Sequence, residues 1–191
     1  KDTSNMILWY KFDEISGTIA TDSSGNGNNG VLYGGASWTT GKKLGSVKLD
    51  GVNGYVDMPD GILKDVNDFT IATWVKANSQ ISFQRVFDFG NSQSVNMFFT
   101  PHANHSNAKG CLYAITLGSY QNEERVNSGI NLELGVWKHI AITMSGNTAI
   151  LYEDGVEVAR NENMTLRPSD LGATTNNYIG RSNYSVDPYF N

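Results

Sequence analysis

Cysteine is all but missing from this chain: Cys111 is the only one among 191 residues, and one thiol cannot make an internal disulfide. None is needed, because a chain of this length buries most of its unfolded surface in its own core. The lone thiol leaves the redox compartment open. With no base supplied beside it, Cys111 reads as a core or strand residue, not a nucleophile. Positive charge is also scarce. Fourteen Lys and Arg stand against 19 Asp and Glu, giving a net charge of −5, and only Lys42 and Lys43 sit together. That excludes nucleic acid as a partner, since its binding rests on clustered cations. No apolar run approaches the roughly 18 to 20 residues of a membrane helix, so no membrane partner is expected. The first residues lack the apolar stretch of a signal peptide, and the start reads as a cut from something longer. Helical runs rich in Glu and Lys are missing too.

What is present is 20 Gly, nine Tyr, eight Phe and four Trp, with charged residues at only 17%. That composition describes many short strands joined by tight turns. Residues 8–12 (Leu-Trp-Tyr-Lys-Phe) form a short aromatic strand. The run 22–30 (Asp-Ser-Ser-Gly-Asn-Gly-Asn-Asn-Gly) is a loop of positive-φ turns with oxygens pointing inward. Residues 69–76 alternate, Phe69, Ile71 and Val75 on one face and Thr70, Ala72 and Trp74 on the other. Residues 85–90, 96–100 and 111–117 continue as strands, with a weaker candidate at Arg125. Residues 137–159 read as a three-strand antiparallel meander turning at Gly146-Asn147 and at Asp154-Gly155. The one helical turn is at 168–171. Trp9, Trp74 and Trp137 are assigned to the core, with Trp38 in a loop. Strand and turn throughout, with no linker, give an all-β, two-sheet antiparallel β-sandwich spanning 1–191 as one domain.

Four segments, taken in order, resemble the bacterial laminin-G-like, concanavalin A-like lectin/glucanase jelly-roll modules. They are the run 22–30, residues 49–56 (Leu-Asp-Gly-Val-Asn-Gly-Tyr-Val), residues 69–75, and residues 137–141 with 151–156. No one motif is specific; the set in this order is. The stretch from Pro168 to Ser182 is similar to modules appended to secreted glycoside hydrolases, including arabinofuranosidase-type enzymes. Such modules usually run past a Phe-Asn-Gly-like turn into a last strand with an acidic pair. This chain is therefore expected to lack that strand and to leave an open, aggregation-prone edge.

The residues of the 22–30 loop and the Asp50 turn admit two readings, a plain turn and a calcium site. Calcium wants six to eight oxygens from carboxylates, carbonyls and amides. The resemblance implies the second reading, a structural Ca2+ held by Asp22 and Asp50, with Asn26 and Asn28 assisting. Zinc is not expected from His102, His105 and His139, which do not form a set of fixed ligands.

Sugar is held by aromatic faces and by planar polar groups making paired hydrogen bonds. Arg85, Asp88, Tyr120, Arg125 and Tyr184 are the candidates for carbohydrate contact. A glycosidase would need two carboxylates about 5 to 9.5 Å apart across a cleft. Glu153, Asp154 and Glu157 straddle a hairpin turn, and Glu123 and Glu124 are adjacent, so a strand sends them to opposite faces. The resemblance thus implies a non-catalytic module that binds polysaccharide or oligosaccharide beside the rest of a secreted bacterial parent enzyme. A protein-interaction or adhesion module is the alternative, and it predicts a broad apolar patch in place of an aromatic-and-Arg pocket.

Overall fold

The structure, a computed structural model, describes residues 5–191. Among the described residues, fourteen strands make the fold. They are β1 (Ile19–Ala20), β2 (Gly30–Tyr33), β3 (Ser37–Thr40), β4 (Gly45–Lys48), β5 (Tyr55–Asp57), β6 (Phe69–Val75), β7 (Phe87–Ser92), β8 (Val95–His105), β9 (Ala108–Leu117), β10 (Glu124–Asn127), β11 (Lys138–Ser145), β12 (Thr148–Glu153), β13 (Val156–Asn161) and β14 (Asn176–Ile179). An eight-stranded sheet in the order β1-β2-β5-β14-β7-β8-β9-β10 faces a four-stranded sheet in the order β13-β12-β11-β6, and β3 with β4 forms a separate ribbon. All pairings are antiparallel. This is the expected sandwich.

The meander is where the sequence placed it. Asp154 and Gly155 turn β12 into β13, both at positive φ, the geometry that matches the twist of a tight hairpin. Along β11, Ile140, Ile142 and Met144 point into the core and meet Leu151 of β12. The larger sheet supplies Phe87, Phe89, Met97, Phe99, Tyr113 and Ile115 to the same core. Cys111 joins it, and burial pushes its thiol up to about 12, so it stays protonated and unreactive.

Strands β7 to β9 are buried on both faces, so the clean alternation of a half-exposed strand is lost there. On their outer face a second small cluster forms from Phe98, Ala103, Ala108, Leu112 and Ala114, with Phe83 packed against it. A floor covered in this way on a sheet's outer side is where a surface site can be built.

Three sequence expectations are corrected. Residues 8–12 do not make a strand; Tyr10 forms a single bridge to Asp22, and Phe12 sits at φ +57, outside the extended region a ladder requires. Trp74 is not core. The alternation that turns Phe69, Ile71 and Val75 inward turns it outward, 44% exposed, edge-on to His139 and under the Lys42 ammonium. Trp38 lies in β3 and donates its indole N–H to the Gly17 carbonyl at 2.8 Å.

The two long sides of the sandwich differ. Along one, β10 is tied to β13 and to the segment that follows it: Asn161 Nδ2 donates to the Arg125 carbonyl at 2.9 Å, and Glu124 Oε2 accepts from the Thr165 and Leu166 amides at 2.7 and 3.0 Å. Along the other, β6 pairs only with β11 and β4 only with β3. A groove of about 670 Å³ separates those two unpaired edges, lined among others by Val47, Leu49, Thr73, Val75, Val86 and Phe190.

Candidate functional site

Antiparallel pairing sets Tyr33 of β2 directly against Tyr55 of β5, and Tyr178 of β14 against Asp57 two residues on. Side chains at opposed positions share a face, so three tyrosines from distant segments meet on the outer side of the larger sheet. Tyr33 and Tyr55 stack at 5.2 Å between centroids, Tyr178 stands edge-on to Tyr55 at 5.4 Å, and Tyr189 approaches it at 6.2 Å. The Arg181 guanidinium lies 4.8 Å from the Tyr55 ring centre and 4.6 Å from that of Tyr178. Both distances are within cation–π range.

Arg181 reaches this position because Gly180, at φ +88, turns the chain sharply out of β14. Any Cβ there would overlap the Leu49 side chain. Beyond the turn, residues 181–189 border a cleft of about 160 Å³ lined by Asn176, Tyr178, Arg181, Asn183, Tyr184 and Asp187 among others. Burial pushes the phenols of Tyr55 and Tyr178 upward, against the opposing pull of Arg181. Both therefore remain O–H donors at neutral pH. The Asp57 carboxyl is raised by burial and by Asp60, with Arg181 pulling the other way. Aromatic faces, a fixed guanidinium and amide groups thus converge beside a shallow, polar recess.

Three of the five expected sugar-contact residues converge here and two do not. Tyr184 lines the cleft, its hydroxyl donating to the Gln93 carbonyl at 2.9 Å. Arg85 and Asp88 lie directly beneath, 2% and 0% exposed, so the expectation that they touch a ligand is corrected: they are enclosed by residues 182–187 and hold that segment. Arg125 sits on β10, four strands from β14 and so about 19 Å away at normal strand spacing, with Nε bonded to Glu123 Oε1 at 2.5 Å. Tyr120 is exposed in the short 3-10 turn Tyr120–Asn122 at that same far end. The sequence reading missed Tyr33, Tyr55 and Tyr178. The visible signal was Tyr55 and Asp57 flanking Val56 in a short alternating strand, and Asn176 and Tyr178 flanking Asn177.

The proposed metal residues serve their own loops. Asp22 Oδ1 accepts from the Trp9 and Ser24 amides at 3.0 and 2.9 Å, and Oδ2 from the Asn28 amide at 3.0 Å and the Ser24 hydroxyl at 2.7 Å. Asn26 and Asn28 donate their amides to the carbonyls of Met6 and Ile7. Asp50 Oδ1 accepts three backbone N–H groups, from Val52, Asn53 and Gly54. Both Asp22 oxygens and Asp50 Oδ1 are thus already taken by N–H and O–H donors of their own loops, and among the described residues no group of three His, Cys, Asp or Glu side chains is placed to hold a metal. A cation bound here would have to displace those donors.

Desolvation pulls the Asp22 carboxyl up, but the bonds from Ser24, Trp9 and Asn28 outweigh it and hold it below the usual carboxylate range. A depressed carboxyl stabilises the fold above its ordinary pKa, and that contribution is lost as pH falls through the lowered value. Asp22→Ala is therefore expected to cost about 1 to 3 kcal/mol at neutral pH, equally in EDTA and in calcium, and progressively less on acidification. A loss seen only in calcium would show a metal role instead, and urea titrations in the two buffers check it.

The other carboxylates flagged by the sequence are engaged elsewhere. Glu153 and Asp154 share Lys138, Glu157 pairs with Arg160, and Glu123 and Glu124 bond Arg125 and the Thr165–Leu166 backbone on opposite sides of β10.

Two antiparallel sheets packed face to face in this way make a jelly-roll β-sandwich. The chain belongs to the concanavalin A-like lectin/glucanases superfamily, whose sequence profile matches residues 50–191. It is 26% identical over 155 residues to an alpha-L-arabinofuranosidase of Bifidobacterium longum subsp. longum, covering 76% of this chain and only 14% of that enzyme. Its fold is similar to domain 4 of AbnA, a GH43 extracellular arabinanase from Geobacillus stearothermophilus solved with arabinotriose. That match has 20% identity and a TM-score of 0.75, and covers 89% of this chain and 81% of that one. Residues 221–444 of an S-layer domain-containing protein from Clostridium thermocellum are 38% identical, with a TM-score of 0.56, covering 83% of this chain and 73% of that one.

Proposed function

We propose that this chain is a non-catalytic carbohydrate-binding module of a secreted, polysaccharide-degrading bacterial protein. In this reading the platform of Tyr55, Tyr178 and Arg181, with the adjoining cleft, is the sugar contact. The observation that carries the reading is the platform itself: tyrosine rings beside a guanidinium held in place by the tyrosines it spans. Pyranose and furanose rings present C–H faces to aromatic surfaces, and their vicinal hydroxyls match the paired N–H groups of a guanidinium. The arabinotriose bound to the arabinanase domain and the arabinofuranosidase relative support arabinose-containing glycans as the ligand class. An extracellular arabinanase and an S-layer protein among the relatives support a location outside the cell.

Affinity-gel electrophoresis over arabinan, arabinoxylan, xylan, β-glucan and mucin glycans, run with and without EDTA beside a reducing-sugar assay, tests this. Retardation by an arabinose-containing polymer, unaffected by EDTA and without release of sugar, is the expected result. Released sugar would overturn the non-catalytic assignment. Retention by none of the polymers would favour the adhesion reading.

A further inference from the structure

Beneath the cleft lies a charged network that direct ligand contact does not explain. Asp88, enclosed on the outer face of β7, accepts from the Asn183 amide N–H at 3.0 Å through Oδ2 and from Asn183 Nδ2 at 2.8 Å through Oδ1. Arg85 Nη2 meets Asp187 Oδ2 at 2.9 Å, while its Nε sits 3.5 Å from Asp88 Oδ2, an ionic contact without an aligned hydrogen bond. Ser182 Oγ donates to Asp187 Oδ2 at 2.9 Å and accepts from the Tyr184 amide at 3.0 Å. The guanidinium carbon lies over Phe98, 3.7 Å from the ring centre. Every cleft residue from 182 to 184 is thus fixed through one of two carboxylates that share a single guanidinium.

We propose that Arg85, Asp88 and Asp187 are positioning residues that latch residues 182–187 onto β7 and so set the shape of the cleft, and that the latch is firmer in mildly acidic than in neutral solution. The cleft's role in sugar binding rests on the function proposed above; the latch itself does not. When both carboxylates are ionised, the enclosed cluster carries one negative charge in excess. Protonating one of them leaves a balanced pair, which costs less in a low-dielectric site. The groups that face Asp88 bear this out. Arg85 and Asp187 approach it from one side, Tyr178 of β14 is its register neighbour with Arg181 beyond, and the apolar Phe98 is opposite on β8.

Burial pushes the Asp88 carboxyl up to about 6 against the pull of Arg85, and burial also raises Asp187. The sign follows. A carboxyl whose pKa is higher when latched than when solvated favours the latched state at low pH, and that advantage is lost as pH rises through the latched value.

Amide hydrogen exchange of the sugar-free protein at Asn183 and Tyr184 reads the latch directly. The protection factors, corrected for intrinsic exchange, are expected to fall about tenfold between pH 5 and pH 7. Asp88→Asn, which keeps an acceptor oxygen but cannot ionise, is expected to flatten that slope. Asp187→Asn, nearer the surface and gentler on folding, is expected to reduce it by leaving Arg85 to Asp88 alone. A flat wild-type profile, or an unchanged slope in both variants, would overturn the proposal.

Arabinotriose affinity measured over the same pH range should track the protection. A pH-independent affinity alongside a sloping protection profile would sever the latch from the cleft's shape. A slope with no sugar bound at any pH would uphold the latch and reject the functional reading.

Discussion

Arg181→Ala is expected to weaken the proposed binding of arabinotriose about 10- to 100-fold while leaving the melting temperature nearly unchanged. The guanidinium lies over both Tyr55 and Tyr178 and lines the cleft, so among the described residues it is the cation shared by platform and recess. Its loss removes a charge-assisted hydrogen bond worth about 1.5 to 3 kcal/mol and the contact that holds the two rings in place. At 1.4 kcal/mol per tenfold change, the expected range follows. Tyr178→Ala falls in the same range through the loss of its ring face. Arg125→Ala, four strands away on β10, is the control and should change affinity less than twofold. Isothermal titration of the three variants decides the matter. Equal losses at Arg125 and Arg181 would move the site to the far end of the sheet, and no loss at Arg181 would remove the platform from the account.

Gly110→Ala has the largest expected effect on stability, about 3 kcal/mol or more. Gly110 lies in β9 at φ +80, and a Cβ there would overlap the backbone of Ile130. An L-residue in the left-handed region costs about 1 to 2 kcal/mol by itself. The rest comes from the overlap, which cannot relax without separating the Cys111 amide from the Ile130 carbonyl, now hydrogen-bonded at 2.8 Å. For a domain of this size that is a fall in melting temperature of roughly 6 to 12 °C. Gly129→Ala provides the contrast. It shares the positive φ, at +73, but its Cβ would meet open space, so only the conformational cost remains. Calorimetry on the two variants separates strain from overlap. Similar losses would mean that the Ile130 segment yields easily.

Much of the fold could be read from the chain because several strands have one wet face. β6 and β11 alternate visibly, and Asp154-Gly155 announces its hairpin with two residues that accept positive φ. Residues 8–12 were misread because aromatic content alone resembles a strand, whereas a ladder also needs a partner and extended dihedrals through Phe12. The site was harder to see. Tyr33, Tyr55 and Tyr178 become neighbours only through the order β2-β5-β14, a long-range topology that no local pattern encodes. Arg85 and Asp88 stand as polar residues in an apolar strand, which reads equally as a ligand contact or a buried network, and the residues that cover them come about a hundred positions later, at 182–187. The loop at Asp22 shows a different limit. Backbone N–H groups and a cation seek the same carboxylate oxygens, so composition alone does not tell which has them.

The sandwich is built like a book bound along one spine. Side-chain ties from β10 to β13 and to the segment after it form the binding, while on the groove side the Lys42 ammonium lies over Trp74 and Phe190 and Asn191 bridge the Gly51 and Asn78 amides. Local opening is expected along the path with the fewest bonds to break, which is the groove side. Ile179 and Phe190 line the groove, and the residues between them form the wall of the cleft. The segment that walls the cleft is thus also a wall of the groove, and under the function proposed above a bound sugar is expected to steady that side of the sandwich as well.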